Sequence, residues 1–566
     1  MTDLRTLPEA LAAAARSGEG YTFVASGPGS PGSSDTRRSY ADMQRAARGV
    51  ARGLRAAGLR RGDLVALVIG DAEQFLSTLF GAAIAGVVPA SLYPPATMSD
   101  LVGYLEQTAA VLRRAGARAV VASPALAPEL EILRATCPDL QVVLSSEGLD
   151  APGSDPDGTP SLDDIAFVQF TSGSTSMPKG VALSHRNLAA NVEAINGPGG
   201  LGSSDTDSAV SWLPLNHDMG LVGMALGPLY CARPAVFLTP QTFVKRPAEW
   251  LKAISRYRAT VSFAPNFAYD LAVRRVKDKD LEGLDLSSWR IAGCGAEPIH
   301  APTLAAFAAR FAGVGFRASS FLPCYGLAEH VLAATFPPRN RELLIDRIAS
   351  ADLTERRLAV PAAGEQSVEL ISCGRALPDH AIRIVGEDGE TRGEREVGEI
   401  RLAGPSVMLG YYKDDALTAQ TIRDGWLCTG DLGYLADGEL FVCGRVKDII
   451  IVNGRKYHPQ DVEWAVAEMS GIRRGRVVAF GTSESGAADR VVIVAEPSGT
   501  VPVSELTDAI RRRISDMLGL YVDDVVTVPS GTIGRTTSGK VQRAATKARY
   551  ERGALLDETE VEAGST

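Results

Sequence analysis

A chain of 566 residues is too long for one hydrophobic core and predicts at least two domains. With 45% hydrophobic and 22% charged residues, its composition is that of a globular protein rather than a disordered or fibrous one. A net charge of −9 argues against general nucleic-acid binding, which needs a basic footprint, but leaves room for a local nucleotide site.

The first twenty residues are mixed in charge and lack the apolar stretch of a signal peptide. Ser39-Tyr40-Ala41-Asp42 has the form of a capping box, opening a helix with Met43, Ala47, Val50 and Leu54 on one face. An uncharged run over 75–99 raises the question of a membrane span. Gly81, Gly86, Pro89, Pro94 and Pro95 interrupt it, so it reads as a buried helix over 75–85 and a short strand over 87–92, with no membrane span. Further strands are predicted over 64–69, 119–122, 142–145, 210–213, 235–238 and 260–263. Strands alternating with helical patterns imply α/β layers with largely parallel strands. Loops rich in Gly, Ser, Pro and Asp fall over 26–34, 145–160 and 196–207.

The apolar run Ile165-Ala166-Phe167-Val168-Gln169-Phe170 reads as a buried strand, and FTSGSTSMPKG, residues 170–180, leaves it. Such a loop offers backbone N–H groups, hydroxyls and the Lys179 ammonium to one anion, most often a phosphate. It is not a Walker loop, because Lys179 follows Pro178 and precedes Gly180. Read alone, such a loop is more often a polar surface turn.

The pattern changes near Gly444. Asp437-Gly438 predicts a hairpin turn, and Arg445-Val446-Lys447-Asp448 leads into an apolar strand over 449–452. Beyond lies an α+β pattern: a helix from 459, strands over 476–480 and 490–495, a helix over 503–518 and a last helix from 541. That is enough for a small second domain. The predicted organisation is a large N-terminal α/β domain of layered sheets and helices over 1–445, a small mobile α+β C-terminal domain over 446–550, and a disordered acidic tail over 551–566. The seven scattered cysteines contain no CxxC pair, and the six histidines lack metal-ligand spacing. Both point away from a disulfide framework or a zinc site and toward a reducing, cytoplasmic compartment.

Five further segments stand out: a His-Asp pair in Trp212-Leu213-Pro214-Leu215-Asn216-His217-Asp218-Met219-Gly220; Gly295-Ala296-Glu297-Pro298 after a predicted strand over 289–292; Tyr325-Gly326-Leu327-Ala328-Glu329; Thr429-Gly430-Asp431; and Arg535-Thr536-Thr537-Ser538-Gly539-Lys540. Each has a plain structural reading. Tyr325 could be core, Glu329 a helix-start acid, Asp431 a turn residue, Lys540 a solvated charge and His217 a satisfied structural histidine.

Together, in this order, these segments resemble the adenylate-forming superfamily of acyl-CoA synthetases, luciferases and peptide-synthetase adenylation domains. The resemblance runs from about Ser39 to about Arg549. It implies that a carboxylic acid reacts with ATP to give acyl-AMP and pyrophosphate, with Mg²⁺ as cofactor. It implies a phosphate loop of Thr171, Ser172, Gly173, Ser174 and Thr175 with Lys179 as cation. Glu329 would hold Mg²⁺ with Thr175. Tyr325, beside Gly326, would stack on adenine, along which Gly295, Ala296 and Glu297 lie. Asp431 would bind the ribose hydroxyls with support from Arg445. Lys540 would bridge carboxylate and α-phosphate, and Lys447-Asp448 would be the hinge.

Within the superfamily, Leu215–Leu221 and SFAPNFAYDL, residues 262–271, resemble the fatty acyl-AMP ligase branch, where His217 belongs to the HDMGL pattern and counts with Lys540, Lys179 and Glu329 as a catalytic candidate. So does the extra length between Tyr325 and Cys373-Gly374-Arg375, centred on 339–366, which reads as polar with little periodicity. The branch implies an insertion that hinders CoA use, an acyl carrier protein as acceptor, and a fatty or related acid as substrate. Trp212, Met219, Met224, Phe263 and Phe267 could line the acyl tunnel or equally be core. The competing readings are an acyl-CoA ligase and a non-catalytic acyl- or nucleotide-binding member. Ser176 stands where many relatives have Gly, and Gly534 precedes Arg535 where Pro is frequent.

Overall fold

The computed structural model describes residues 4–25, 35–95, 101–156, 158–171, 178–364, 367–452, 455–482, 490–499, 501–535 and 541–555. Two seven-stranded sheets dominate the large domain. One runs in the order Phe321–Pro323, Ile291–Cys294, Val261–Ala264, Ala209–Ser211, Ala235–Phe237, Gly20–Phe23, Thr36–Ser39. All its pairings are parallel except the last. The other runs Gly410–Tyr411, Lys179–Ser184, Ile165–Thr171, Val88–Ser91, Leu64–Val68, Ala119–Ala122, Val142–Ser145. Its last four pairings are parallel, and its first two are antiparallel.

One apolar core joins the two sheets, and a second lies on the outer face of the sheet that contains Ile165–Thr171. That strand shows why its run lacks alternation: Phe167 packs into the inter-sheet core and Val168 and Phe170 into the outer one. The Ser39 capping box forms, with the hydroxyl accepting from Asp42 N–H, and Met43, Ala47, Val50 and Leu54 are buried. The uncharged run folds as the helix Ala72–Ala85, capped by Asp71, and the strand Val88–Ser91. Among the described residues no helix is long and apolar enough to cross a membrane.

A third, antiparallel sheet contains the long strand Trp426–Ala436 and its hairpin partner Glu439–Arg445. The Val446–Asp448 turn follows, then the hairpin Ile450–Val452 with Arg455–Tyr457, and a three-stranded sheet of Ile472–Thr482, Arg490–Pro497 and Asp524–Thr527. Helices Pro459–Ala467, Val503–Leu518 and Arg543–Glu551 cover that smaller domain.

Three expectations change. The region 339–366 is not a plain polar loop: strand Ile345–Ala349 pairs with Ser367–Ile371, and helix Ser350–Arg356 lies between them. Ile348 and Leu353 are buried with Tyr434 and Phe441 of the third sheet, so two well-spaced apolar residues fix the segment without visible periodicity. Asp431 sits inside an eleven-residue strand, not in a turn. The tail does not begin at 551, because Leu555 is buried against Phe480 and Val494 of the small domain; the expected disorder beyond it concerns residues 556–566, outside those described.

Candidate active site

The predicted site residues collect on the ends of a few strands. Thr171 and Lys179 are register partners at the open end of the Ile165–Thr171 and Lys179–Ser184 hairpin. Gly180 sits in a tight spot there: a Cβ would lie 3.0 Å from Val168 and 3.1 Å from Phe170, whose side chains would have to give way. The strand Gly410–Tyr411 pairs with Val181 and Ala182. Lys179 Nζ lies 5.1 Å from the Tyr411 ring centroid. The Tyr411 hydroxyl donates to Glu329 Oε1 at 2.8 Å, and Met408 N–H donates to the Glu329 carbonyl at 2.9 Å. Tyr411, which sequence reasoning missed, thus stands between two predicted site residues. Burial, and then the Glu329 charge, hold its phenol well above the ordinary range.

A second group forms around Asp431, itself 7% exposed. Asp431 and Arg445 are cross-strand partners, and Arg445 Nε donates to Oδ1 at 3.0 Å. The Tyr325 hydroxyl donates to Oδ2 at 2.8 Å. The Asp431 carboxylate holds the Arg445 guanidinium above its usual range, and burial followed by the Asp431 charge raises the Tyr325 phenol. A carboxylate has about four lone-pair sites, so two remain open for further donors. Tyr325 and Glu329 come from one short segment, the strand Tyr325–Gly326 and the turn Ala328–His330, which links the two groups. Gly326 has no room for a side chain, since a Cβ would meet the Leu332 carbonyl at 1.8 Å.

Gly295-Ala296-Glu297 leaves the strand Ile291–Cys294, which begins two residues later than the expected one. Ala296 has φ +68°, and a Cβ on Gly295 would meet Cys324 Sγ at 2.6 Å, so this turn presses against the Tyr325 segment. Glu297 Oε1 accepts from Phe267 N–H at 2.5 Å, which ties the carboxylate to the first turn of helix Asn266–Arg275. His217 Nδ1 lies 2.7 Å from Asp218 Oδ1, next to the π-helix Met219–Leu226.

Of the candidate acyl-pocket residues, Trp212 belongs to the core. It stacks on Phe243 at 3.8 Å and meets Trp250 and Phe267 edge-on. Met219, Met224 and Phe263 are buried in the inter-sheet core, and Phe267 is partly buried against it. The Arg535 guanidinium lies 5.7 Å from the Phe267 ring centroid, so the small domain's last loop approaches the same edge. Lys540 and Ser172, Gly173, Ser174 and Thr175 lie outside the described residues. Lys447 and Asp448 lie in the turn after Arg445, where Asp448 pairs with Arg543 at 2.6 Å.

The described site sets two cations, Lys179 and Arg445, against three carboxylates, Glu297, Glu329 and Asp431, so it does not by itself neutralise a triphosphate. Glu329 offers hard oxygens to a divalent ion. Among the described residues no cluster of three or more His, Cys, Asp or Glu could hold a metal. An ion beside Glu329 would have hydroxyl, substrate and water oxygens for its other ligands, the kind that Mg²⁺ favours.

Residues 11–412 match the AMP-binding enzyme family. The chain belongs to that family. Residues 447–560 of this AMP-binding enzyme match the AMP domain of Disco-interacting protein 2-like proteins. The chain is 37% identical, over 92% of its length and 91% of the relative's, to a provisionally named acyl-CoA synthetase of Caulobacter vibrioides. It is 33% identical, over 91% of its length and 90% of the relative's, to the medium-chain-fatty-acid–[acyl-carrier-protein] ligase JamA of Moorena producens. A solved structure from studies of the fatty acyl-adenylate ligases of E. coli and L. pneumophila superposes with TM-score 0.91 at 36% identity, covering 97% of this chain and 98% of that one. The large N-terminal and smaller C-terminal domains are those of adenylate-forming enzymes.

Proposed function

We propose that this AMP-binding enzyme is a fatty acyl-AMP ligase. It activates a fatty or related carboxylic acid with ATP and Mg²⁺, then passes the acyl group to the phosphopantetheine thiol of an acyl carrier protein in polyketide- or lipopeptide-type biosynthesis. A carboxylate oxygen bonds to the α-phosphorus of ATP, the α–β phosphoanhydride bond breaks, and pyrophosphate leaves. The thiol, losing its proton, then attacks the acyl carbon; a thioester forms and AMP departs. The observation that carries the first step is Asp431, held by Tyr325 and Arg445 with two acceptor sites free, which suits two ribose hydroxyls.

In this reading Tyr325 offers a ring face to adenine, its hydroxyl being committed to Asp431. The turn of Gly295, Ala296 and Glu297 borders the base. Lys179 and the Thr171–Gly180 loop face the β- and γ-phosphates. Glu329 and Thr175 hold Mg²⁺, which supplies charge neutralisation on the phosphates. Lys540 neutralises charge between the carboxylate and the α-phosphate, and Lys447-Asp448 is the hinge of the small domain.

For the acceptor, the ordered insertion supports a carrier protein. Its Glu355 pairs with Arg455 of the small domain's first hairpin at 2.7 Å. Glu387 of the large domain pairs with Arg357 at 2.7 Å and with Lys456 at 2.8 Å. The insertion and that hairpin are therefore joined on both sides. The name of the Caulobacter relative favours a second reading, acyl transfer to CoA. Pyrophosphate release across a panel of carboxylic acids tests the activation step: release dependent on medium- or long-chain acids is expected. No release with any acid would instead support a binding protein without catalysis.

A further inference from the structure

We propose that Tyr411 is a positioning residue that sets Glu329 and Lys179 in one fixed arrangement for a divalent cation and the phosphates it neutralises; this rests on the ATP-using reading above. Three observations carry it. The first is contact. The single phenolic proton goes to Glu329 Oε1 at 2.8 Å, and the Tyr411 ring lies 5.1 Å from Lys179 Nζ. One side chain thus touches an acid and a cation from segments 150 residues apart in sequence, 179 and 329.

The second is immobility. Tyr411 is 6% exposed. Its backbone is pinned on both sides: Leu409 N–H donates to the Ala182 carbonyl at 3.0 Å, Tyr412 N–H to the Gly180 carbonyl at 2.7 Å, and Tyr411 N–H to Thr418 Oγ1 at 2.8 Å. The strand it pairs with begins at Lys179 itself. Met408 N–H meanwhile holds the Glu329 carbonyl at 2.9 Å. The segment 408–412 therefore stitches the strand that carries Lys179 to the turn that carries Glu329.

The third is stoichiometry. A tyrosine hydroxyl has one proton to give, so it takes one lone pair of the carboxylate and leaves Oε2 and the remaining lone pairs for a cation. Fixing a glutamate side chain before the ion arrives removes an entropic cost that binding would otherwise carry. Hydrogen bonds of this kind orient metal-binding carboxylates, and their loss weakens metal affinity. The aromatic face serves Lys179 separately, through attraction between the ammonium and the ring.

The two contacts can be separated in the full-length protein. Tyr411→Phe keeps the ring and removes the hydroxyl; Tyr411→Leu removes both. Mn²⁺ binding is read by electron paramagnetic resonance in the presence of α,β-methylene-ATP, and analogue binding without metal by calorimetry. Tyr411→Phe should raise the Mn²⁺ dissociation constant about five- to tenfold and leave metal-free analogue binding unchanged. Tyr411→Leu should in addition weaken metal-free analogue binding about threefold. In a Glu329→Gln background, Tyr411→Phe should have no further effect on Mn²⁺. Wild-type Mn²⁺ affinity in a folded Tyr411→Phe variant, or an undiminished effect in the Glu329→Gln background, would overturn the assignment. Failure of the wild-type protein to bind the analogue at all would instead remove the ATP-using reading, and this inference with it.

Discussion

Replacing Asp431 by Asn is the sharpest perturbation of the nucleotide site. The carboxylate is 7% exposed and already accepts from Tyr325 and Arg445, one hydrogen bond on each oxygen. Two of about four acceptor sites remain for ribose hydroxyls. Asn keeps the shape but offers a single acceptor oxygen and no charge. One hydroxyl then faces an NH₂ donor, and the other loses charge assistance. A hydrogen bond to a charged group is worth about 1.5–3 kcal/mol and a neutral one about 1 kcal/mol. The combined loss is about 3 kcal/mol, or roughly a hundredfold in kcat/KM for ATP. Folding should change little, because the Arg445 side chain is 62% exposed and loses only a partly solvated pair. The assay is ATP–pyrophosphate exchange with ATP, 2′-deoxy-ATP and 3′-deoxy-ATP. Both deoxy analogues should be poor substrates of the native protein, while Asp431→Asn should barely distinguish them from ATP. If the variant discriminates against them as strongly as the native protein does, Asp431 does not hold the ribose.

Three more outcomes follow from the structure. His185 accepts from Leu7 N–H at 3.1 Å, and burial lowers its pKa to about 4. It stays neutral when folded but takes a proton near pH 6.5 when unfolded, so its contribution is complete above about pH 6.5 and lost as the pH falls toward 4. The total is about 3 kcal/mol, of which about 2 kcal/mol is gone by pH 5; urea unfolding at pH 7 and pH 5 should show a smaller acid loss for His185→Gln, and equal losses would contradict this. Trp464 packs on His300, ring centroids 4.9 Å apart, where the small domain meets the large one. Trp464→Ala should speed proteolysis near the Val446–Asp448 turn without changing the melting temperature of the large domain; unchanged cleavage would mean that other contacts hold the domains together. In the insertion, Leu353→Ala empties a buried site and should cost about 2–5 kcal/mol, whereas Glu355→Ala removes an exposed ion pair worth less than about 1 kcal/mol. Leu353→Ala, like partial deletion of 339–366, should therefore raise CoA-dependent thioester formation more than Glu355→Ala does; no gain in either folded variant would make the insertion a passive loop.

What could be read from the chain followed the range of the interactions involved. Local chemistry was legible: the Ser39 capping box forms, and the helix Val503–Leu518 has the expected bounds. Long-range packing was not. Ile348 and Leu353 find partners in Tyr434 and Phe441, far along the chain, so the insertion carries no periodicity of its own. Asp431 looked like a turn residue because Gly430 and Gly433 flank it, yet cross-strand pairing with Arg445 draws it into a strand, at the point where the register with Gly398–Ala403 breaks. Tyr411 carried only a weak signal, an aromatic pair after Gly410. Its place beside Lys179 and Glu329 arises from strand pairing that no local pattern announces. Trp212, beside a recognisable motif, packs in an aromatic cluster with Phe243, Trp250 and Phe267 that the motif did not announce.

The most direct test follows one radiolabelled fatty acid through both half-reactions. The protein is incubated with ATP, Mg²⁺ and the acid, and then divided between CoA and a carrier protein bearing phosphopantetheine. Acyl-AMP should accumulate in the absence of acceptor, persist with CoA, and discharge onto the carrier protein as a thioester. Rapid conversion to acyl-CoA, with the carrier protein left unloaded, would contradict the account.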